Sequence, residues 1–180
     1  MNKKPDSNGG SAVTPSLKEL HKVLYGGKRF GNHLDEVWPN LFVFSAIKSL
    51  GITHVVNAAH GRTYCQGSQD FYGPSVEYYG VPADDSPTFD LSRYFFPTAE
   101  RIHNALDTDG VLVHCAVGVS RSASLVLAYL MIHQHYALLD AINKVKECRW
   151  IFPNKGFLRQ LCALDEKTSK LDHFRVIQQL

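Results

Sequence analysis

The sequence predicts one α/β domain, a central and largely parallel sheet flanked by helices. Three observations predict it. Short apolar runs at Thr53–Ala58, Val76–Val81 and Val111–Val113 have the length of strands and are bounded by polar, glycine-bearing stretches. These runs alternate with helical stripes, and beyond residue 122 the pattern stays helical, the order expected when strands and helices build one layered domain. The 180-residue length suits one core plus a tail, and no internal repeat divides it.

Met1–Pro15 consists mainly of Asn, Ser, Gly, Lys and Pro and is expected to be a disordered tail, leaving 16–180 as the domain. Ser16 with Glu19 makes a capping box, Leu17, Leu20 and Leu24 share one helical face, and Gly26-Gly27 stops that helix. Val37–Phe44 reads as a strand, with Pro39 marking an edge position. Thr53–Ala58 is the next strand, His60–Pro74 a loop, Val76–Val81 a strand, and Pro82–Asp90 a loop with two adjacent acids. Leu91–Leu106 places Phe95, Ala99, Ile102 and Leu106 on one stripe, a helix that Pro97 either kinks or starts. After Val111–Val113 come helical stretches near 122–134, 137–148 and 156–170.

Composition narrows the function classes. A formal charge of +2 with 20% charged residues gives no argument for nucleic acid or a membrane surface as a partner. No apolar stretch approaches the roughly 20 residues of a transmembrane helix, and the N-terminus has no signal-peptide core. Cysteines at 65, 115, 148 and 162 lack metal-binding spacing, so free thiols in a reducing compartment are expected, cytoplasmic with the nucleus as a second location.

The chemistry concentrates in His114-Cys115-Ala116-Val117-Gly118-Val119-Ser120-Arg121-Ser122, between the last strand and the helix that follows it. A loop running from a strand end into a helix start can aim its backbone N–H groups at one point, and the helix N-terminus adds partial positive charge there. That field stabilises the thiolate of Cys115 and lowers its pKa. Arg121 supplies a planar fork that bonds two oxygens of a phosphate together. Taken singly, each residue has a plain account: a buried Cys, a solvated Arg, a glycine present for its backbone freedom. Together, at one strand-to-helix junction, they describe a phosphate held over a thiolate. A nucleotide site of the Gly-x4-Gly-Lys type is absent from the sequence.

His-Cys-x5-Arg-Ser resembles the signature of the cysteine-dependent protein phosphatases, and the run on through Ala123-Ser124-Leu125-Val126 to Met131 resembles the dual-specificity branch. Asp35–Phe42, Gly51–Ala59 and Pro153–Leu161 are similar to segments of its small, atypical members, so the likeness covers most of the chain from about Leu17. Tyr64–Gly67 with Asp70–Gly73 is most like the muscle- and testis-type members. The resemblance implies a protein-tyrosine-phosphatase-like fold and a phosphocysteine intermediate. It also implies a shallow pocket taking phosphotyrosine and phosphoserine/phosphothreonine, with phosphorylated proteins as partners and no cofactor or metal.

The resemblance also implies roles. An acid must protonate the leaving oxygen, and the family's Ala-x-Asp maps onto Ala83-Asp84-Asp85, pointing to Asp85 with Asp84 as the alternative. Cys115 is the nucleophile, and Ala116, Val117, Gly118, Val119, Ser120 and Arg121 form the substrate cradle. Ser122 would stabilise the departing thiolate or cap the helix. His114 either holds the loop from outside or is an ordinary buried histidine. Asn154 resembles the family residue that braces the loop from behind, with a helix cap as its plain account. Relatives acting on inositol lipids carry lysines in the loop where this chain has Ala116, Val117 and Val119, which favours a phosphoprotein over a polyanionic substrate. A low-turnover phosphoprotein scaffold is the alternative from another class; its usual mark, loss of the Cys, Arg or acid, is missing here.

One stretch departs from the family. Between Leu41-Phe42 and Leu50-Gly51 only Val43–Ser49 intervenes, about eight residues short of the familiar pattern. A crossover between parallel strands takes about a dozen residues, so the strand ending at Phe44 is expected to pair poorly with its neighbour.

Overall fold

Helix α1 (Leu17–Tyr25) begins at its capping box: the Ser16 hydroxyl accepts the Glu19 N–H at 3.3 Å, and the Glu19 carboxylate accepts the Ser16 N–H at 2.8 Å. In the computed structural model, which describes residues 13–26, 34–44, 52–62, 67–107 and 110–178, Leu20 and Leu24 of this helix are fully buried. Most of the expected disordered tail, and the short link at 45–51, lie outside the described residues. Lys146 donates to the carbonyls of Val23, Leu24 and Gly26, tying the open end of α1 to the rest of the domain.

The sheet has five strands in the order β1-β2-β5-β3-β4: β1 (Leu34–Trp38), β2 (Leu41–Phe44), β3 (Ile52–Asn57), β4 (Glu77–Gly80) and β5 (Gly110–His114). All pairings are parallel except β1 with β2. Here the structure corrects the single strand expected over Val37–Phe44. Pro39 and Asn40 turn the chain between two antiparallel strands, Asn40 at φ 60° and its N–H bonded to Glu36 Oε1 at 2.9 Å. Proline followed by a left-handed Asn is turn chemistry, which the continuous apolar character on either side disguises. The strand's expected neighbour is corrected as well. The spatial neighbour of β2 is β5 rather than β3, and Leu41 through Phe44 register with Val111 through His114.

Within the expected loop 60–74, Ser68 caps a single-turn helix, α2 (Gln69–Tyr72). A 3₁₀ turn over Ser92–Tyr94 leads into α3 (Phe95–Leu106), whose Pro97 lies in the first turn, where the missing N–H costs no helical bond. Helices α4 (Arg121–His133), α5 (Leu138–Lys146) and α6 (Lys155–Gln178) complete the chain. Residues 122–131 of α4 are all buried, since α3, α5 and α6 surround it and β5 lies against it. Val111 and Val113 enter this main core, whereas Leu112 and Val55 form a smaller cluster on the opposite sheet face with Phe42, Tyr72 and Tyr78.

Candidate active site

The central strand β5 ends at His114 and α4 begins at Arg121, so residues 115–120 cross the C-terminal edge of the parallel strands, where open α/β sheets hold ligands. Gly118, at φ 67°, folds the loop back so that its N–H reaches Cys115 Sγ at 3.2 Å. The Ser122 hydroxyl lies 3.2 Å from the same sulfur. Burial pushes the Cys115 thiol up. The Ser122 hydroxyl and N–H, the Arg121 charge and the Gly118 N–H outweigh that burial and hold the thiol below its ordinary value.

Arg121 donates from Nη1 to the Ala83 carbonyl at 3.2 Å, and its buried Nε has no hydrogen-bond partner among the described residues. An unpaired guanidinium donor beside a stabilised thiolate suits an oxyanion. The loop carrying the acids is held at several points. Asp85 Oδ1 accepts from the Ser120 hydroxyl at 2.7 Å and from Asn154 Nδ2 at 2.9 Å. Arg62 pairs with Asp84 at 3.2 Å and donates to the Pro82 carbonyl at 2.6 Å. The two acids therefore face different partners: Asp85 meets the loop, and Asp84 turns to Arg62.

His114 is buried, and burial lowers its pKa, so the ring is neutral. Its Nδ1 lies 3.3 Å from the Cys115 carbonyl, which can only accept, so Nδ1 carries the proton and Nε2 accepts from the Tyr72 hydroxyl at 2.7 Å. Ala116 and Val119 are half-buried and Val117 is exposed, an uncharged rim. Asn154 caps α6, its Oδ1 accepting from Phe157 N–H at 3.0 Å, while its own N–H donates to the Ser120 hydroxyl at 3.0 Å. The loop backbone is gripped from behind by another residue, Arg149. It donates from Nε to the Gly118 carbonyl at 2.9 Å and from Nη2 to the Val117 carbonyl at 3.0 Å, and its Nη1 meets Asp35 Oδ2 at 2.5 Å.

Sequence reasoning brings forward every loop residue, Asp85 and Asn154, and misses Arg149, Asp35, Tyr72 and Arg62. A signal existed for Asp35: in Leu34-Asp35-Glu36-Val37 it shares the strand face of Val37, the buried one, and a buried carboxylate needs a cation. Arg149 stands in the apolar company of Trp150, Ile151 and Phe152 but reads as a solvated charge without the fold.

A buried, stabilised cysteine, an arginine with a free donor and a carboxyl pinned beside them define a cysteine-dependent phosphatase class of site. The chain belongs to the dual-specificity phosphatase family: the model "Dual specificity phosphatase, catalytic domain" matches residues 39–167. It is 52% identical over 160 positions to dual specificity protein phosphatase 26 of Homo sapiens, the match covering 83% of this chain and 75% of that one. Among solved structures, a variant of human DUSP28 is 33% identical with a TM-score of 0.70, over 78% of this chain and 99% of that one. A mouse dual-specificity phosphatase complexed with zinc tungstate is 30% identical with a TM-score of 0.69, over 82% and 96%. The chain is thus a dual-specificity protein phosphatase with the fold its sequence predicts.

Proposed function

We propose that the chain hydrolyses phosphotyrosine and phosphoserine/phosphothreonine monoesters of proteins through a phosphocysteine at Cys115. The observation that carries this reading is the convergence on one sulfur of the Gly118 N–H and the Ser122 hydroxyl, with the Arg121 charge acting on the same thiol. In the first step the Cys115 thiolate attacks phosphorus, the phosphorus–oxygen ester bond breaks, and the leaving oxygen takes the proton of Asp85. Loop N–H groups and Arg121 hold the three non-bridging oxygens as charge redistributes among them. Both hydrogen bonds to Asp85 fall on Oδ1, which leaves Oδ2 for the leaving oxygen. In the second step Asp85, now a carboxylate, takes a proton from water as that water attacks phosphorus. Inorganic phosphate forms, and the sulfur departs as a thiolate that the Ser122 hydroxyl stabilises.

The uncharged rim of Ala116, Val117 and Val119 supports a phosphoprotein monoester over a polyphosphorylated lipid, whose extra phosphates would meet no cation there. The test is turnover of p-nitrophenyl phosphate and of phosphotyrosyl and phosphothreonyl peptides by the wild type and Cys115→Ser. Hydrolysis of both peptide types by the wild type and none by the variant is expected. A variant that keeps turnover would remove the phosphocysteine mechanism, and a wild type that binds phosphopeptides without turnover would make the chain a scaffold.

A further inference from the structure

Three consecutive carbonyls of the phosphate loop are held on its far side: those of Val117 and Gly118 by Arg149, and that of Val119 by the Phe152 N–H at 2.8 Å. In a planar trans peptide the carbonyl and the N–H of the next residue point in opposite directions. Drawing those carbonyls backward therefore turns the N–H groups of Gly118, Val119 and Ser120 forward. The Gly118 N–H shows the result directly, since it meets the Cys115 sulfur at 3.2 Å while the Val117 carbonyl in the same peptide plane sits on Arg149.

Arg149 is suited to this. The residue is only 6% exposed, so it is not placed to touch substrate, and its planar fork serves two carbonyls and one carboxylate with three different nitrogens. Asp35, 7% exposed, supplies the opposite charge that a buried guanidinium requires, and β1 fixes its position. We propose that Arg149, oriented by Asp35, is the positioning residue that presets the phosphate-binding N–H groups of loop 115–121. This role rests on the reading that the loop holds the substrate phosphoryl group. It is a different role from that of Arg121, which stands beside the sulfur itself.

The experiment uses the full chain with Arg149→Met, Arg149→Lys and Asp35→Asn, each checked for folding by circular dichroism. Two quantities are read: the inhibition constant of inorganic phosphate against p-nitrophenyl phosphate, and the pH midpoint of Cys115 alkylation by iodoacetamide. Arg149→Met is expected to weaken phosphate inhibition on the order of tenfold or more and to move the alkylation midpoint upward. Arg149→Lys should recover part of both, because an ammonium still reaches one carbonyl. A folded Arg149→Met with wild-type values for both readouts overturns the proposal, whatever its melting temperature. If Arg149→Met does not fold, Asp35→Asn decides. It keeps the side-chain volume, and the same changes in smaller measure support the role, whereas unchanged values overturn it. Failure of the underlying reading looks different: phosphate would not compete even in the wild type, or Cys115→Ser would keep turnover, and the proposal falls with it.

Discussion

The Ser120 hydroxyl donates to Oδ1 of Asp85 at 2.7 Å, so the loop that would hold the phosphate also holds the carboxyl that would protonate the leaving group. Asn154 adds a second donor to the same oxygen at 2.9 Å. The acid is thereby tied to the cradle by a chain of contacts rather than by the flexibility of its own loop. Asp84, one residue away, is spent on Arg62.

Asp85→Asn should therefore slow an aryl phosphate with a poor leaving group by about 10²-fold or more, and one with a good leaving group far less, since protonation matters less as the leaving group improves. Asp84→Asn should cost only a few-fold, evenly across substrates. Measuring kcat for a series of aryl phosphates separates the two. Equal slopes for Asp85→Asn and wild type, or a steeper slope for Asp84→Asn, would move the acid elsewhere.

Ser122→Ala removes the hydroxyl 3.2 Å from the sulfur, one of the influences that hold the Cys115 thiol below its ordinary value. The thiolate is the reactive form, so alkylation of wild-type Cys115 falls off only as pH drops through that lowered value. In Ser122→Ala the fall should begin at a higher pH. Breakdown of the phosphocysteine should slow as well, giving a burst of p-nitrophenol followed by a slower steady rate. An unchanged midpoint would leave Ser122 a structural residue.

These two predictions draw on residues visible in the chain before any fold, and the reason is local. Cys115, Gly118, Arg121 and Ser122 act through a strand-to-helix junction nine residues long, which sequence spacing encodes directly. The longer helices were equally legible, the capping box at Ser16 and the stripe on α3 being short-range patterns, whereas the single turn of α2 was read as loop. The β1–β2 turn was not, because Pro39-Asn40 interrupts a run that is apolar on both sides. Nor was the brace of the loop. Arg149 and Asp35 are 114 residues apart and Tyr72 and His114 are 42 apart, contacts that only the packed sheet creates.

Tyr72→Phe tests one such contact. It keeps the ring, which stacks on Tyr78 at a centroid distance of 5.7 Å, and removes only the hydroxyl that His114 Nε2 accepts from. The buried Nε2 then lacks a partner, at a cost of about 1–3 kcal/mol in stability. The melting temperature should drop by several degrees, with kcat falling only a few-fold because the bond from His114 to the Cys115 carbonyl survives. A variant with wild-type stability would mean that the hydroxyl contributes nothing to holding His114.

Gly156→Ala joins stability to chemistry at one atom. A Cβ added at Gly156 would lie 2.0 Å from the Pro87 carbonyl oxygen, far inside van der Waals contact and against backbone, which cannot rotate away. One side of the contact must move. Gly156 sits in the first turn of α6, two residues after Asn154, whose side chain and N–H reach Asp85 and Ser120. Pro87 belongs to the loop carrying Asp85, so either displacement pulls Asp85 from its two donors. The variant should therefore lose kcat with the leaving-group dependence of Asp85→Asn, while phosphate still inhibits nearly as in the wild type. The Val117, Gly118 and Val119 carbonyls of the cradle keep their own donors in Arg149 and Phe152 even where the Ser120 contact to Asp85 and Asn154 shifts. Kinetics on the aryl phosphate series, with the phosphate inhibition constant and a melting curve, reads all three. Loss of phosphate inhibition together with kcat would show that the acid loop and the cradle move as one body, and an unaltered kcat would show that the clash is absorbed without disturbing Asp85.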